Sequence, residues 1–144
     1  MEKEIVVLMA DDDADDKLMA QEAFAENKLA NDLQFVSDGK ELLDYLTFRN
    51  GYSPENAPKP DIILLDINMP KMSGIQVLEK IKQDPELKKI PVIMLTTSDA
   101  DEDIVATYDL GVNSFITKPV TFEKLVEVIA NFSQYWFKIV RLPK

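Results

Sequence analysis

Residues 62–74 read Ile-Ile-Leu-Leu-Asp-Ile-Asn-Met-Pro-Lys-Met-Ser-Gly. The first four are apolar without alternation, which marks a strand buried on both faces, as in the middle of a parallel sheet. Asp66 closes the run, and Gly74 opens a helical pattern that continues to about Lys82. Strand followed by helix is one βα unit, and the flanking sequence repeats it.

Upstream, Ile5 to Met9 is a strand rich in β-branched residues. A helix follows over Ala14 to Glu26, with Leu18, Met19, Ala23 and Phe24 expected on its apolar face. Leu33 to Val36 is a short strand, and Gly39 to about Phe48 a helix with Leu42, Leu43 and Leu46 inward. Asn50 to Pro60 holds three prolines and a glycine and reads as a loop. Downstream, Pro91 to Leu95 is another buried strand, Glu102 to Leu110 a helix stopped by Gly111, Ser114 to Thr117 a fifth strand, and Phe122 onward the last helix. Five βα units predict an α/β doubly wound (βα)5 three-layer sandwich, flavodoxin-like, with a five-stranded parallel sheet of order 2-1-3-4-5.

A chain of 144 residues suits one domain spanning 1–144, with no output domain. It contains no cysteine and no histidine, so disulfides, thiolate metal sites and Cys or His catalysis are excluded. The net charge of -10 argues against nucleic acid and suits a cation or a basic partner. No apolar run approaches the roughly 18 residues of a membrane helix, and no signal-peptide pattern opens the chain, so a cytoplasmic protein is expected.

In open α/β sheets ligands bind beyond the carboxyl ends of the strands. Here the first strand ends at Asp11 with Asp12 and Asp13 behind it, the third at Asp66, the fourth at Thr96 and the fifth at Lys118. Crowded carboxylates need a proton or a cation. A hard divalent ion such as Mg2+ is the natural complement. A carboxylate, ionised at neutral pH, can attack a phosphoryl group without a general base. Lys118 and the Thr96 hydroxyl can neutralise its oxygens.

Asp66-Ile-Asn-Met-Pro-Lys-Met-Ser-Gly, Thr96-Thr-Ser and Lys118-Pro119, in this order and spacing, resemble the receiver domain of bacterial two-component response regulators. The long second helix-to-strand loop and the ending Tyr135-Trp-Phe-Lys-Ile-Val-Arg-Leu-Pro are similar to the single-domain regulators paired with cyanobacterial phytochromes and related kinases. The resemblance implies phosphorylation of Asp66 by a sensor histidine kinase, phytochrome-like in this subgroup. It implies Mg2+ bound by the Asp11 and Asp66 carboxylates and the Asn68 backbone carbonyl, Lys118 on the phosphoryl group, and Thr96 with Phe115 as a switch pair. Asn68 and Ser98 would tune the lifetime of the phosphorylated state. The family carries two acids where the first strand ends. One register puts Ala10 at the first of them, with Asp12 supplying the charge; a shift of one residue makes Asp11 and Asp12 the pair. The resemblance also points to a cis bond between Lys118 and Pro119.

Plainer readings stand beside these. Asp13, Asp15 and Asp16 suit a helix cap and first turn, as do Asp99, Asp101 and Glu102. Asp61 reads as solvated, and Gly74 as serving backbone geometry. Phe122, Leu125, Ile129, Phe132, Trp136 and Ile139 form one helical seam, which predicts a homodimer through the last helix and an apolar tail, 133–144, extending it. The alternative function is a Mg-dependent phosphohydrolase of the haloacid-dehalogenase type. That chemistry needs an acid two residues after the nucleophile, where this chain has Asn68. A flavodoxin-type carrier is disfavoured by the acidic run from Asp11 to Asp16, which would repel a flavin phosphate. The expected role is therefore that of a phosphoacceptor signalling domain, which assists only its own phosphorylation and dephosphorylation, rather than an enzyme acting on other molecules.

Overall fold

A computed structural model describes residues 5–26, 31–67, 69, 71–97, 114–118 and 121–135, with backbone alone at 31, 96–97, 114–118 and 132–135. The elements are β1 (Ile5–Ala10), α1 (Ala14–Glu26), β2 (Asn31–Val36), α2 (Gly39–Thr47), β3 (Ile62–Asp66), α3 (Gly74–Gln83), β4 (Val92–Thr97), β5 (Ser114–Lys118) and α4 (Phe122–Tyr135), with a 3-10 turn at Leu87–Lys89 before β4. The sheet has five parallel strands in the order β2-β1-β3-β4-β5, as the sequence predicts. The expected helix at Glu102 to Leu110 lies outside the described residues.

Strand alternation sends successive side chains to opposite faces. Leu8, Ala10, Ile63, Leu65, Val92 and Met94 pack under α2 and α3 with Leu42, Val77, Leu78 and Ile81. Val7, Met9, Ile62, Leu64, Ile93 and Leu95 pack under α1 and α4 with Ala20, Ala23, Phe24, Leu125 and Ile129. This double burial is why the central strands read as unbroken apolar runs. Truncating a fully buried leucine such as Leu64 to alanine costs roughly 2–5 kcal/mol in such a core.

Several boundaries move. β2 starts at Asn31 because the ladder continues from Val7↔Leu33 down to Ile5↔Asn31, and an edge strand tolerates polar residues there. β4 starts after Pro91, which lacks an N–H for the ladder but whose carbonyl accepts from the Ile63 N–H at 3.0 Å. On α1, Leu18 is 55% exposed and Ala20 is buried in its place. The face that meets the sheet runs through Met19, Ala20, Ala23 and Phe24, and Leu18 lies a step of about 100° away from Met19. In α4, Leu125 and Ile129 are 2% and 3% exposed inside the chain's own core, and Phe122 packs against the same cluster. The first half of the predicted dimer seam is therefore core; the side chains of Phe132, Trp136 and Ile139 lie outside the described residues.

The proline-containing segment after α2 is pinned to the domain. The Tyr45 hydroxyl donates to the Pro58 carbonyl at 2.8 Å, and the Tyr52 hydroxyl to Glu41 Oε2 at 2.6 Å. The two rings meet at a tilt, centroids 5.3 Å apart. Burial first pushes both phenols up to about 12; the charge of Asp32 adds at Tyr45, and at Tyr52 the Glu41 hydrogen bond adds, followed by the charges of Glu41, Asp44 and Asp38. A phenol raised on folding contributes stability that is complete below its ordinary value of 10.0 and is lost as pH climbs toward about 12. Stability measured by urea unfolding is expected to fall between pH about 10 and 12. The Tyr45→Phe/Tyr52→Phe chain should show a flatter decline over that window; an equally steep fall would remove these phenols from the account.

Candidate functional site: an acidic crevice at the strand ends

The register of β1 with β3 pairs Ala10 with Leu65, so Asp11 and Asp66 come level at the carboxyl edge. Both are buried, Asp11 at 0% and Asp66 at 3% exposure. The Asp11 N–H donates to the Val36 carbonyl at 3.1 Å, extending the β1–β2 ladder one residue past the strand. The Asp11 Oδ1 accepts from the Asp13 N–H at 2.9 Å, which turns the chain back toward the crevice. One carboxylate oxygen each from Asp11, Asp12 and Asp66 lie within 4.8 Å of one another. Ala10 is fully buried in the core under α2 and α3 with Leu8 and Leu65, away from this cluster. The geometry brings Asp12, and not Ala10, together with Asp11 and Asp66.

The other acids of the run divide as the plainer reading expects. Asp13 caps α1: its Oδ1 accepts from the Asp15 N–H at 2.8 Å and the Asp16 N–H at 3.4 Å. Asp15 is exposed and Asp16 half-buried in the first turn. Asp61 departs from its reading as solvated. It is half-buried, its Oδ2 accepts from the Val6 N–H at 2.9 Å, and its own N–H donates to the Val6 carbonyl at 2.7 Å. It closes the ladder just before β3, a role invisible in sequence because its partner is 55 residues away.

Thr96 lies one residue beyond Leu95, the β4 partner of Asp66, and Lys118 is paired with Thr97 at the end of β5. Both therefore reach the same sheet edge as Asp66. Phe115 pairs with Met94, two ladder steps before Thr96↔Thr117. Asn68, Ser98 and the Lys118–Pro119 bond lie outside the described residues.

Gly74 supports the crevice from behind. Its N–H donates to the Ile67 carbonyl at 2.9 Å. A Cβ at this position would stand 2.4 Å from the Asp66 carbonyl oxygen and 2.8 Å from Ile67 Cα. The glycine is required by close approach of backbone to backbone. Ser73 and Gln76 form a capping box that starts α3 at this point.

Three carboxylates and no thiol or imidazole make a donor set of hard oxygens, which fits Mg2+ or Mn2+. Across residues 7–130 the chain matches the response regulator receiver domain, and it belongs to that family. It is 37% identical to the response regulator Rcp1 of Synechocystis sp. strain PCC 6803 over 138 residues, covering 96% of this chain and 92% of that protein. Its fold superposes on the phosphorylated cyanobacterial phytochrome response regulator RcpA with a TM-score of 0.83 at 37% identity, covering 99% of this chain and 100% of that one. The Mn2+-bound form of Rcp1 gives a TM-score of 0.81 at 36% identity, covering 97% and 99%. The chain is thus a receiver domain of two-component signalling, whose partner is a histidine kinase, and the phosphohydrolase alternative gains no support. Among the described residues no helix is long and apolar enough to cross a membrane.

Crowding of like charges makes a direct prediction. Asp11→Asn keeps an oxygen for the Asp13 N–H while removing one charge. In the presence of a chelator this variant should unfold at higher urea than the parent, by on the order of 1 kcal/mol, the size of a like-charge repulsion across about 4 Å in a watery setting. A variant less stable than the parent under those conditions would show that the three carboxylates do not repel appreciably.

Proposed function

We propose that Asp66 is the phosphoacceptor of this receiver and that Asp11, Asp12 and Asp66 hold a Mg2+ ion, joined by the backbone carbonyl of Asn68. The convergence of three carboxylates where the central strand ends carries this reading. The Mn2+-bound structure of the relative Rcp1 supports it. When bound, the ion supplies charge neutralisation of the phosphoryl oxygens. A carboxylate oxygen of Asp66 attacks phosphorus. The bond from phosphorus to the donor breaks, its electron pair leaves with the kinase imidazole or with acetate, and an aspartyl phosphate remains. Lys118 contacts one phosphoryl oxygen and the Thr96 hydroxyl another. Movement of Thr96 toward the phosphoryl group opens space that Phe115 fills, shifting a pre-existing equilibrium of the surface around β5. Asn68 and Ser98, two positions after Asp66 and Thr96, tune the lifetime of the phosphorylated state. The kinase is of the phytochrome type, as the RcpA neighbour suggests, and the setting is cytoplasmic.

Treatment with acetyl phosphate and Mg2+ should add one phosphoryl mass to the parent and none to Asp66→Asn. A phosphoryl mass on Asp66→Asn would move the acceptor elsewhere.

Pairing of two copies rests on the remaining seam residues Phe132, Trp136 and Ile139, since Leu125 and Ile129 are already buried. A symmetric dimer is the commonest closed arrangement. Sedimentation should show a dimer for the whole chain and a monomer for a chain cut after Ser133, with beryllofluoride tightening the former. A whole chain that stays monomeric at high concentration in both states rules the interface out.

A further inference from the structure

The segment from Ile67 to Ser73 leads from the acceptor strand into α3. Its ends are fixed by the Ile67 N–H on the Leu95 carbonyl at 3.0 Å and the Gly74 N–H on the Ile67 carbonyl at 2.9 Å. Lys71 and Met72, the last residues before the Ser73 cap, meet the turn between β2 and α2. Gly39, the first residue of α2, is buried, and a Cβ there would lie 2.2 Å from the Met72 carbonyl oxygen, 2.7 Å from Val77 Cγ2 and 2.8 Å from Met72 Cβ. The neighbouring Asp38 uses Oδ1 to accept from the Glu41 N–H at 2.8 Å, capping α2. Its Oδ2 lies 3.7 Å from Lys71 Nζ. Lys71 has a left-handed φ of 69°, uncommon for a residue with a side chain. Two consecutive residues of a turn more than two dozen positions away thus meet two consecutive residues of the segment after Asp66.

We propose that Gly39 is a positioning residue for the phosphoacceptor segment. The space left by its missing side chain is the seat of the Met72 carbonyl, and Asp38 steadies the adjoining Lys71. Together they set how far the segment between Asp66 and α3 stands from the strand ends. The inference rests on the reading of Asp66 and its metal given above, in which this segment supplies a backbone ligand. An added Cβ would force the carbonyl back by about 1 Å to reach the 3.4 Å of ordinary contact. Mg2+ demands near-ideal octahedral geometry at about 2.0–2.1 Å, so it tolerates little displacement of a ligand. A misplacement of about 1 Å can cost on the order of 100-fold in a reaction that depends on alignment. Gly39 touches neither metal nor phosphoryl group and acts through the segment alone.

The test compares the parent, Gly39→Ala, Asp38→Asn and Leu42→Ala as full-length chains. Leu42 is fully buried in α2, so its truncation destabilises the domain without adding an atom against the Met72 carbonyl. Binding of Mn2+ alone is titrated by electron paramagnetic resonance, acetyl phosphate labelling is followed by mass, and unfolding is measured in chelator. Gly39→Ala should bind Mn2+ about tenfold more weakly and label at least tenfold more slowly. Leu42→Ala should lose stability and keep the parent's Mn2+ affinity and labelling rate. Asp38→Asn retains an oxygen cap for α2 and loses only the charge toward Lys71. It should label about twofold more slowly with nearly parental stability. Parental Mn2+ affinity and labelling in a folded Gly39→Ala chain overturns the proposal. So does an equal loss in Leu42→Ala, which would make the effect one of stability. Should Gly39→Ala not fold, Asp38→Asn decides: slowed labelling supports the positioning role and a parental rate overturns it. A parent that neither binds Mn2+ nor takes the label would overturn the reading of the site itself.

Discussion

Two buried carboxylates held side by side at the end of a parallel sheet are the constraint around which the rest of the domain is arranged. Asp11 and Asp66 come level because β1 and β3 pair with Ala10 opposite Leu65. Once buried, neither can be relaxed by solvent, and Asp12 adds a third negative group at the mouth. Such an arrangement persists only because the core beneath is extensive. Among the described residues, seven buried strand residues on one face and seven on the other lock the register, and a one-residue slip would turn every one of them the wrong way. The stability of the core thus holds the carboxylates in a geometry that they would not adopt by themselves.

The absence of side chains matters as much as their presence near this crevice. Gly74 lets the start of α3 press against the backbone of Asp66 and Ile67, and Gly39 lets the start of α2 press against Met72. Both contacts are backbone against backbone, which is stiffer than contact between flexible side chains. They tie the acceptor strand to the two helices of one layer. The opposite layer, α1 packed beside α4, is tied in through β1 and the cap at Asp13. The crevice is thereby held from both faces of the sheet.

Away from the crevice, polar chemistry serves the fold. Asp61 closes a ladder, Asp38 and Ser73 start helices, and Tyr45 and Tyr52 fasten the proline-containing segment to α2. A chain with 26 acidic residues cannot place all of them at one site, and the structure sorts them by what lies within hydrogen-bonding reach. Salt bridges contribute little to this sorting, since Lys59–Glu86 and Lys89–Glu86 are largely exposed on both sides.

The order of the elements, the sheet topology and the assembly of acids at strand ends were legible in the sequence. Each follows from local patterns: unbroken apolar runs, helical spacing and the position of Asp66 after Ile62 to Leu65. What only the tertiary structure decided depends on partners remote in the chain. Asp12 joins Asp11 and Asp66 while Asp13 caps a helix, although Asp11, Asp12 and Asp13 are consecutive and chemically identical. Leu18 faces outward because the sheet meets α1 along Met19, Ala20, Ala23 and Phe24, an orientation that periodicity alone leaves free by a step. Leu125 and Ile129 belong to the core instead of to a seam, since α4 lies against α1 and the sheet. Asp61 and Gly39 could not be read at all, because the Val6 amide and the Met72 carbonyl that define their roles are brought to them only by folding.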